Sequence, residues 1–116
     1  MKENRKFIRL QAPIGVTYKI IDKNKYTKPQ LSLIKDISGG GVRIMVKEDL
    51  RAGDLIDMEI QIPLVSQPVH AVGEVVWFSS VTDRERPHRE AGVRFCDIGP
   101  KDLHCILEYV YTVGIG

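Results

Sequence analysis

Ile56-Asp57-Met58-Glu59-Ile60-Gln61-Ile62 decides the fold class. Apolar side chains alternate with Asp57, Glu59 and Gln61, and a period of two fits a half-buried β-strand rather than a helix. The pattern spreads outward from there. Upstream, Val16-Thr17-Tyr18-Lys19-Ile20 alternates in the same way, and Gln30 to Ile37 begins another strand. In that strand Leu31, Leu33 and Ile37 share one face, which turns Asp36 and Ser38 toward solvent. Glycines 39–41 break the run and Val42-Arg43-Ile44-Met45-Val46 resumes it. Downstream, a long strand runs from Val69 to Phe78, with Val69, Ala71, Gly73, Val75 and Trp77 read as facing inward. The polar stretch Ser79 to Arg89, which holds Pro87, reads as a long loop. Glu90 to Cys96 is the last strand, with Ala91, Val93 and Phe95 inward.

One segment breaks the period. Leu103, Ile106, Leu107 and Val110 follow helical spacing, Pro100 suits a first helical position, and Gly114 reads as the stop. About six short strands and one terminal helix predict an all-β fold, a small antiparallel barrel whose closure leaves no free sheet edge.

Size and composition narrow the classes. The 116 residues suit a single domain, and 43% hydrophobic with 28% charged residues is ordinary for a globular chain. No apolar run approaches the ~18 residues that span a bilayer. No apolar segment follows the basic start, so a signal peptide is not expected and a cytoplasmic location is. Cys96 and Cys105 do not make a disulfide framework. His70, His88 and His104 share no metal-ligand spacing with them, so neither a metal nor a cofactor is expected. Ser38 has no neighbouring histidine to act as a base, and an enzyme is not expected.

The net charge of +2 is too small for bulk nucleic-acid binding. Its distribution says more. Lys2, Arg5, Lys6 and Arg9 face only Glu3 within the first nine residues. Arg5-Lys6-Phe7-Ile8-Arg9 is an R-x-x-x-R, and Asp36-Ile37-Ser38-Gly39-Gly40-Gly41 is a D-x-S-x-x-G. Guanidinium forks match a phosphate or the O6/N7 edge of guanine. A carboxylate complements the N1–H and N2–H₂ donors of the same base, and consecutive glycines allow backbone N–H groups to turn toward an anion. These parts suit an anionic guanine nucleotide.

With these motifs, Gly73-Glu74-Val75-Val76-Trp77 and Ala91-Gly92-Val93-Arg94-Phe95, the chain resembles a PilZ domain along nearly its whole length. The resemblance implies a six-stranded antiparallel β-barrel with a C-terminal α-helix that binds cyclic di-GMP. It divides the chain into a basic arm (1–10), a barrel (11–98) and a helix (99–113). Arg5 and Arg9 would clamp guanine edges and phosphates, while Asp36 and Ser38 reach the ligand beside Gly40 and Gly41. Asn4, Lys6, Gly39, Arg43, Trp77 and Arg94 are further candidates. Many members carry another arginine where this chain has Asn4, so one ligand and a stacked pair both stay open. Arg43 and Arg94 read as outward-facing, and parity with Val75 places Trp77 in the core.

The arm has little to bury besides Phe7, Ile8 and Leu10, so it is expected to be ordered by the ligand. The ordered arm would then signal to a protein partner in trans. Two other classes stay in view. One is a nucleotide-independent PilZ-like adaptor acting by protein contacts, against which the intact arginines, Asp36 and Ser38 count. The other is a barrel for single-stranded nucleic acid, which normally displays exposed aromatics along a basic groove.

Overall fold

The computed structural model describes residues 9–83 and 86–115. Six strands, β1 (Leu10–Ile20), β2 (Gln30–Ile37), β3 (Gly41–Val46), β4 (Leu55–Ile60), β5 (Val69–Asp83) and β6 (Arg86–Ile98), precede one helix, α1 (Pro100–Ile115). The strands close into an antiparallel barrel in the order β1-β2-β3-β6-β5-β4. Closure comes from pairing of β1 with β4, in which Val16 faces Ile60 and Ile20 faces Ile56.

The alternation that marked β4 is realised fully. Ile56, Met58 and Ile60 are completely buried, while Asp57 and Glu59 lie on the outer wall opposite Lys19 and Thr17. Inward residues of every strand join one core with Ile14, Val16, Ile34, Ile44, Val75 and Val93. Tyr18 brings a polar group into it. Its hydroxyl donates to Glu48 Oε1 at 2.8 Å and accepts from the Lys47 backbone N–H at 3.1 Å, and burial pushes the phenol up to about 12. Helix α1 rests on β5 and β1, burying Ile106 and Val110 with Cys105 and Tyr109 packed alongside. No helix among the described residues is long and apolar enough to cross a membrane.

The structure corrects several sequence expectations. The stretch read as a loop from Ser79 to Arg89 is largely strand, since β5 reaches Asp83 and β6 starts at Arg86. Pro87 is tolerated because the β3 ladder on β6 ends at Arg89, leaving Pro87 on a free edge that needs no N–H donor. Strand β1 begins at Leu10, before the alternating run. A register shift between Gln11 and Ile14, where Pro13 lacks an N–H, hides its start from a period-two count. Gly114 lies inside α1 rather than ending it. Its cost in a helix is only ~1 kcal/mol.

A slip in β2 matters most for function. Against β3, Ile34 pairs with Ile44 and Ile37 with Val42, while Lys35 and Asp36 together oppose Arg43. The extra residue changes parity, as a β-bulge does. Leu31 and Leu33, expected inside, are 82% and 48% exposed, and Ile34 takes the core position instead.

Candidate functional site

Strand β2 hands over to β3 through a turn that Ser38 ties together. The Ser38 backbone N–H donates to the Gly41 carbonyl at 2.9 Å, and its Oγ accepts from the Gly40 N–H at 3.1 Å. The Gly40 carbonyl accepts from the Phe95 N–H at 2.9 Å, which pins the turn to β6. Glycine is required at 41 for closeness, not for an unusual backbone angle. A Cβ there would collide with the Val93 carbonyl oxygen, whereas the described glycine with left-handed φ is Gly53, in the turn before β4.

Beside this turn, Asp36 departs from the reading as a solvent-facing group. It does sit on the outer wall, because its partner Arg43 is flanked by the buried Val42 and Ile44. Yet its side chain is only 5% exposed. Arg43 Nε donates to Asp36 Oδ2 at 2.8 Å, and Arg9 Nε lies 3.7 Å from Oδ1. The carboxylate is therefore covered by two guanidinium groups, one hydrogen-bonded and one at loose ion-pair distance. A carboxylate has about four lone-pair sites, so the Oδ1 side keeps acceptor capacity.

Trp77 is the second correction. It is 42% exposed rather than in the core. On β5 the register slips between Val75 and Trp77, so Val75 pairs with Val93 and Trp77 with Gly92, with Val76 as the extra residue. The indole lies across Gly92, where any Cβ would strike the ring. The bulge thus turns the chain's one tryptophan from the core to the outer wall. Gly92 was missed as a site residue, although a glycine inside a strand signals such a close approach.

The outcome is a cleft of about 190 Å³ bounded by Arg9, Asp36, Ser38, Gly40, Gly41, Val42, Arg43, Val76, Trp77, Gly92, Val93 and Arg94. A second hollow, lined by Gln11, continues it past Arg9, Asp36, Arg43 and Trp77. Eight residues singled out from sequence converge here: Arg9, Asp36, Ser38, Gly40, Gly41, Arg43, Trp77 and Arg94. Gly39 is buried in the turn and does not line the cleft. Asn4, Arg5 and Lys6 fall outside the described residues. Among the described residues no group of three or more His, Cys, Asp or Glu is arranged to hold a metal.

Carboxylates oppose each of the three arginines that line the cleft, Arg9, Arg43 and Arg94. Arg43 Nη1 also reaches Glu90 Oε1 at 3.4 Å, and Arg94 Nη2 donates to Glu74 Oε1 at 2.5 Å. Glu90 and Asp36 are the buried charged residues of the described structure. Burial alone would raise the Glu90 carboxyl. Hydrogen bonds from Lys35 and His88, with the charges of Lys35 and Arg43, outweigh it and hold the group below its ordinary value. The cleft therefore offers an indole face, hydroxyl and backbone groups and guanidinium edges, on a wall whose own charges nearly cancel.

The PilZ domain family model matches residues 3–112. No match is found among curated proteins. Similar folds occur in Bacillus subtilis inhibitor of motility (MotI/DgrA; TM-score 0.77, 16% identity, 98% of this chain and 53% of that one). The PilZ domain of Escherichia coli YcgR, solved with c-di-GMP, superposes with TM-score 0.70 at 16% identity over 97% of this chain and 93% of that one. The K. pneumonia MrkH–c-di-GMP complex gives 0.74 at 16% identity over 99% and 54%. The chain thus spans about half the length of MotI and MrkH and nearly all of the isolated YcgR domain. At this identity the neighbours share a fold, a closed barrel followed by a helix. With the family model matched from residue 3 to residue 112, the chain belongs to the PilZ domain family.

Proposed function

We propose that this chain is a cyclic di-GMP receptor module whose ligand binds on the outer wall between the Ser38–Gly41 turn and Trp77. In this reading the segment carrying Arg5 closes over the ligand and the new surface signals to a protein partner in trans. The observation that carries it is the approach of the two motifs, with Arg9 lying 3.7 Å from Asp36. Support comes from the YcgR and MrkH structures, which share this fold and were solved with c-di-GMP.

Each part of the cleft has a task. Trp77 offers a π-face to a guanine, and such stacking is worth ~1–3 kcal/mol per base. Asp36 accepts from the guanine N1–H and N2–H₂ donors as Arg9 swings from Oδ1 to the base edge or phosphate. A volume of 190 Å³ is below the ~300–1,000 Å³ of complete small-molecule sites, so the cleft holds one end of the ligand and the rest extends over Arg9. Because carboxylates already oppose Arg9, Arg43 and Arg94, much of the charge for two phosphates comes from Lys2, Arg5 and Lys6. The arm is needed for affinity, and closing it is the signal.

Isothermal titration with cyclic di-GMP, with GTP and cyclic AMP as controls, tests the reading. Saturable binding of the cyclic dinucleotide alone is expected, reduced tenfold or more by Arg5→Ala. No heat from any of the three ligands would overturn it. Amide exchange across Lys2–Arg9 should slow at saturation, and unchanged exchange there would remove arm closure while leaving the receptor intact.

A further inference from the structure

Glu90 does not line the cleft, yet it is 5% exposed and ionised at the centre of a four-residue cluster drawn from three strands. Its Oε2 receives Lys35 Nζ of β2 at 2.5 Å and lies 2.8 Å from His88 Nε2 of β6. Its Oε1 receives Arg43 Nη1 of β3 at 3.4 Å. Burying a carboxylate is costly without such partners, and a solvated outer wall has no packing need for one. The cluster has a directional consequence. Arg43 is held through Nε by Asp36 and through Nη1 by Glu90, two carboxylates on the strands to either side of it. A guanidinium held at two corners, at 2.8 Å and 3.4 Å, is restrained about its last side-chain bonds. Asp36 Oδ2 is thereby occupied in a fixed direction, and the Oδ1 edge is the one left toward Arg9 and the cleft.

We infer that Glu90 is a positioning residue of the binding site, its buried carboxylate fixing Arg43 so that Asp36 keeps one oxygen edge aimed at the bound base. The inference rests on the cyclic di-GMP reading and deepens it, because it assigns base selectivity to a network behind the cleft as well as to the groups lining it. The groups that face Glu90 are Lys35, Arg43 and His88. Lys35 and His88 also stand 3.5 Å apart, so the two hold the far oxygen together and leave the near one to Arg43.

A double-mutant cycle with a ligand-free readout tests this. Glu90→Gln keeps the size of the side chain and removes its charge, and should weaken cyclic di-GMP binding about tenfold, the effect of one charge-assisted hydrogen bond. In an Arg43→Gln background the same change should have no further effect, because its route to the ligand is gone. Equal losses in both backgrounds would overturn the inference. In the free wild-type protein, NMR should show the Arg43 Nη1 hydrogens, whose acceptor is Glu90, exchanging with water far more slowly than those of the exposed Arg51. Exchange as fast as Arg51 would overturn it even if no variant folded. Absence of cyclic di-GMP binding by the wild type would instead count against the receptor reading, and the Arg43 exchange rate would still decide whether Glu90 pins the guanidinium.

Discussion

Strands β4 and β2 have similar lengths and both end in an isoleucine, but they are built to different rules. On β4 both ladders run in unbroken register, Leu55–Ile60 against Glu74–Val69 on one side and Ile56–Ile60 against Ile20–Val16 on the other. Its inner face is Ile56, Met58 and Ile60, and its outer face is solvated carboxylate. On β2 both ladders slip, against β1 between Gln11 and Ile14 and against β3 between Ile34 and Asp36. The slips place Asp36 under two arginines and leave Leu31 and Leu33 on the surface. Regular pairing uses each side chain for the core or for solvent. A bulge inserts one extra residue, Lys35 on β2 and Val76 on β5, and the shift in parity sets the next residue, Asp36 or Trp77, on the outer wall at the cleft.

That contrast can be broken most severely on β4. Met58→Ala empties a fully buried position and should cost about 2–5 kcal/mol of stability, read as a lower denaturant midpoint. Cyclic di-GMP affinity of the folded fraction should be unchanged. On β2 the order reverses. Asp36→Ala should reduce affinity at least tenfold and narrow the preference for guanine over adenine cyclic dinucleotides. Arg43 keeps its contact with Glu90 and, already 33% exposed, gives its freed Nε–H to water, so circular dichroism should stay native. If Asp36→Ala unfolds the domain, β2 is a structural strand like β4 and the contrast fails.

Trp77→Ala should lower binding by about 1–3 kcal/mol with little change in melting temperature, because the indole packs on Gly92 outside the core. Acid sharpens the comparison further. The Glu90 carboxyl is held below its ordinary value of 4.5. Its contribution to stability is therefore complete above that pH and is lost as pH falls through the lower folded-state value. The stability difference between wild type and Glu90→Gln should be flat from pH 7 to 5 and shrink below 4.5, as acid unfolding at stepped pH would show. Smallest of all, Glu59→Ala on the outer face of β4 should stay within about 0.5 kcal/mol in stability and leave binding untouched.

Where alternation was strict, the sequence could be read directly. β4, the end of β1, β3 and the later part of β6 followed from parity, and α1 from the spacing of Leu103, Ile106, Leu107 and Val110. The site was legible as chemistry before it was legible as geometry. Arg9, Asp36, Ser38 and the glycine turn were singled out by residue type and spacing, Arg43 and Arg94 only as further candidates beside the resemblance, and of these all but Gly39 line the cleft. Trp77 was a further candidate but was assigned to the core, because a period-two count cannot register the one-residue insertion at Val76. The same limit hid the burial of Asp36 and reversed Leu31 and Leu33. Glu90 carried no motif at all. Its importance comes from pairing across strands to Lys35 and Arg43, which linear order does not encode.

The central claim is that the ligand sits against Trp77 and not elsewhere on the barrel. Trp77 is the one tryptophan in the chain and lines the cleft, so its fluorescence reports on this site alone. Titration of the full chain with cyclic di-GMP should change the emission saturably, with the midpoint found by calorimetry and no change from cyclic AMP. Calorimetric binding of cyclic di-GMP with Trp77 emission unaltered at saturation would contradict the account.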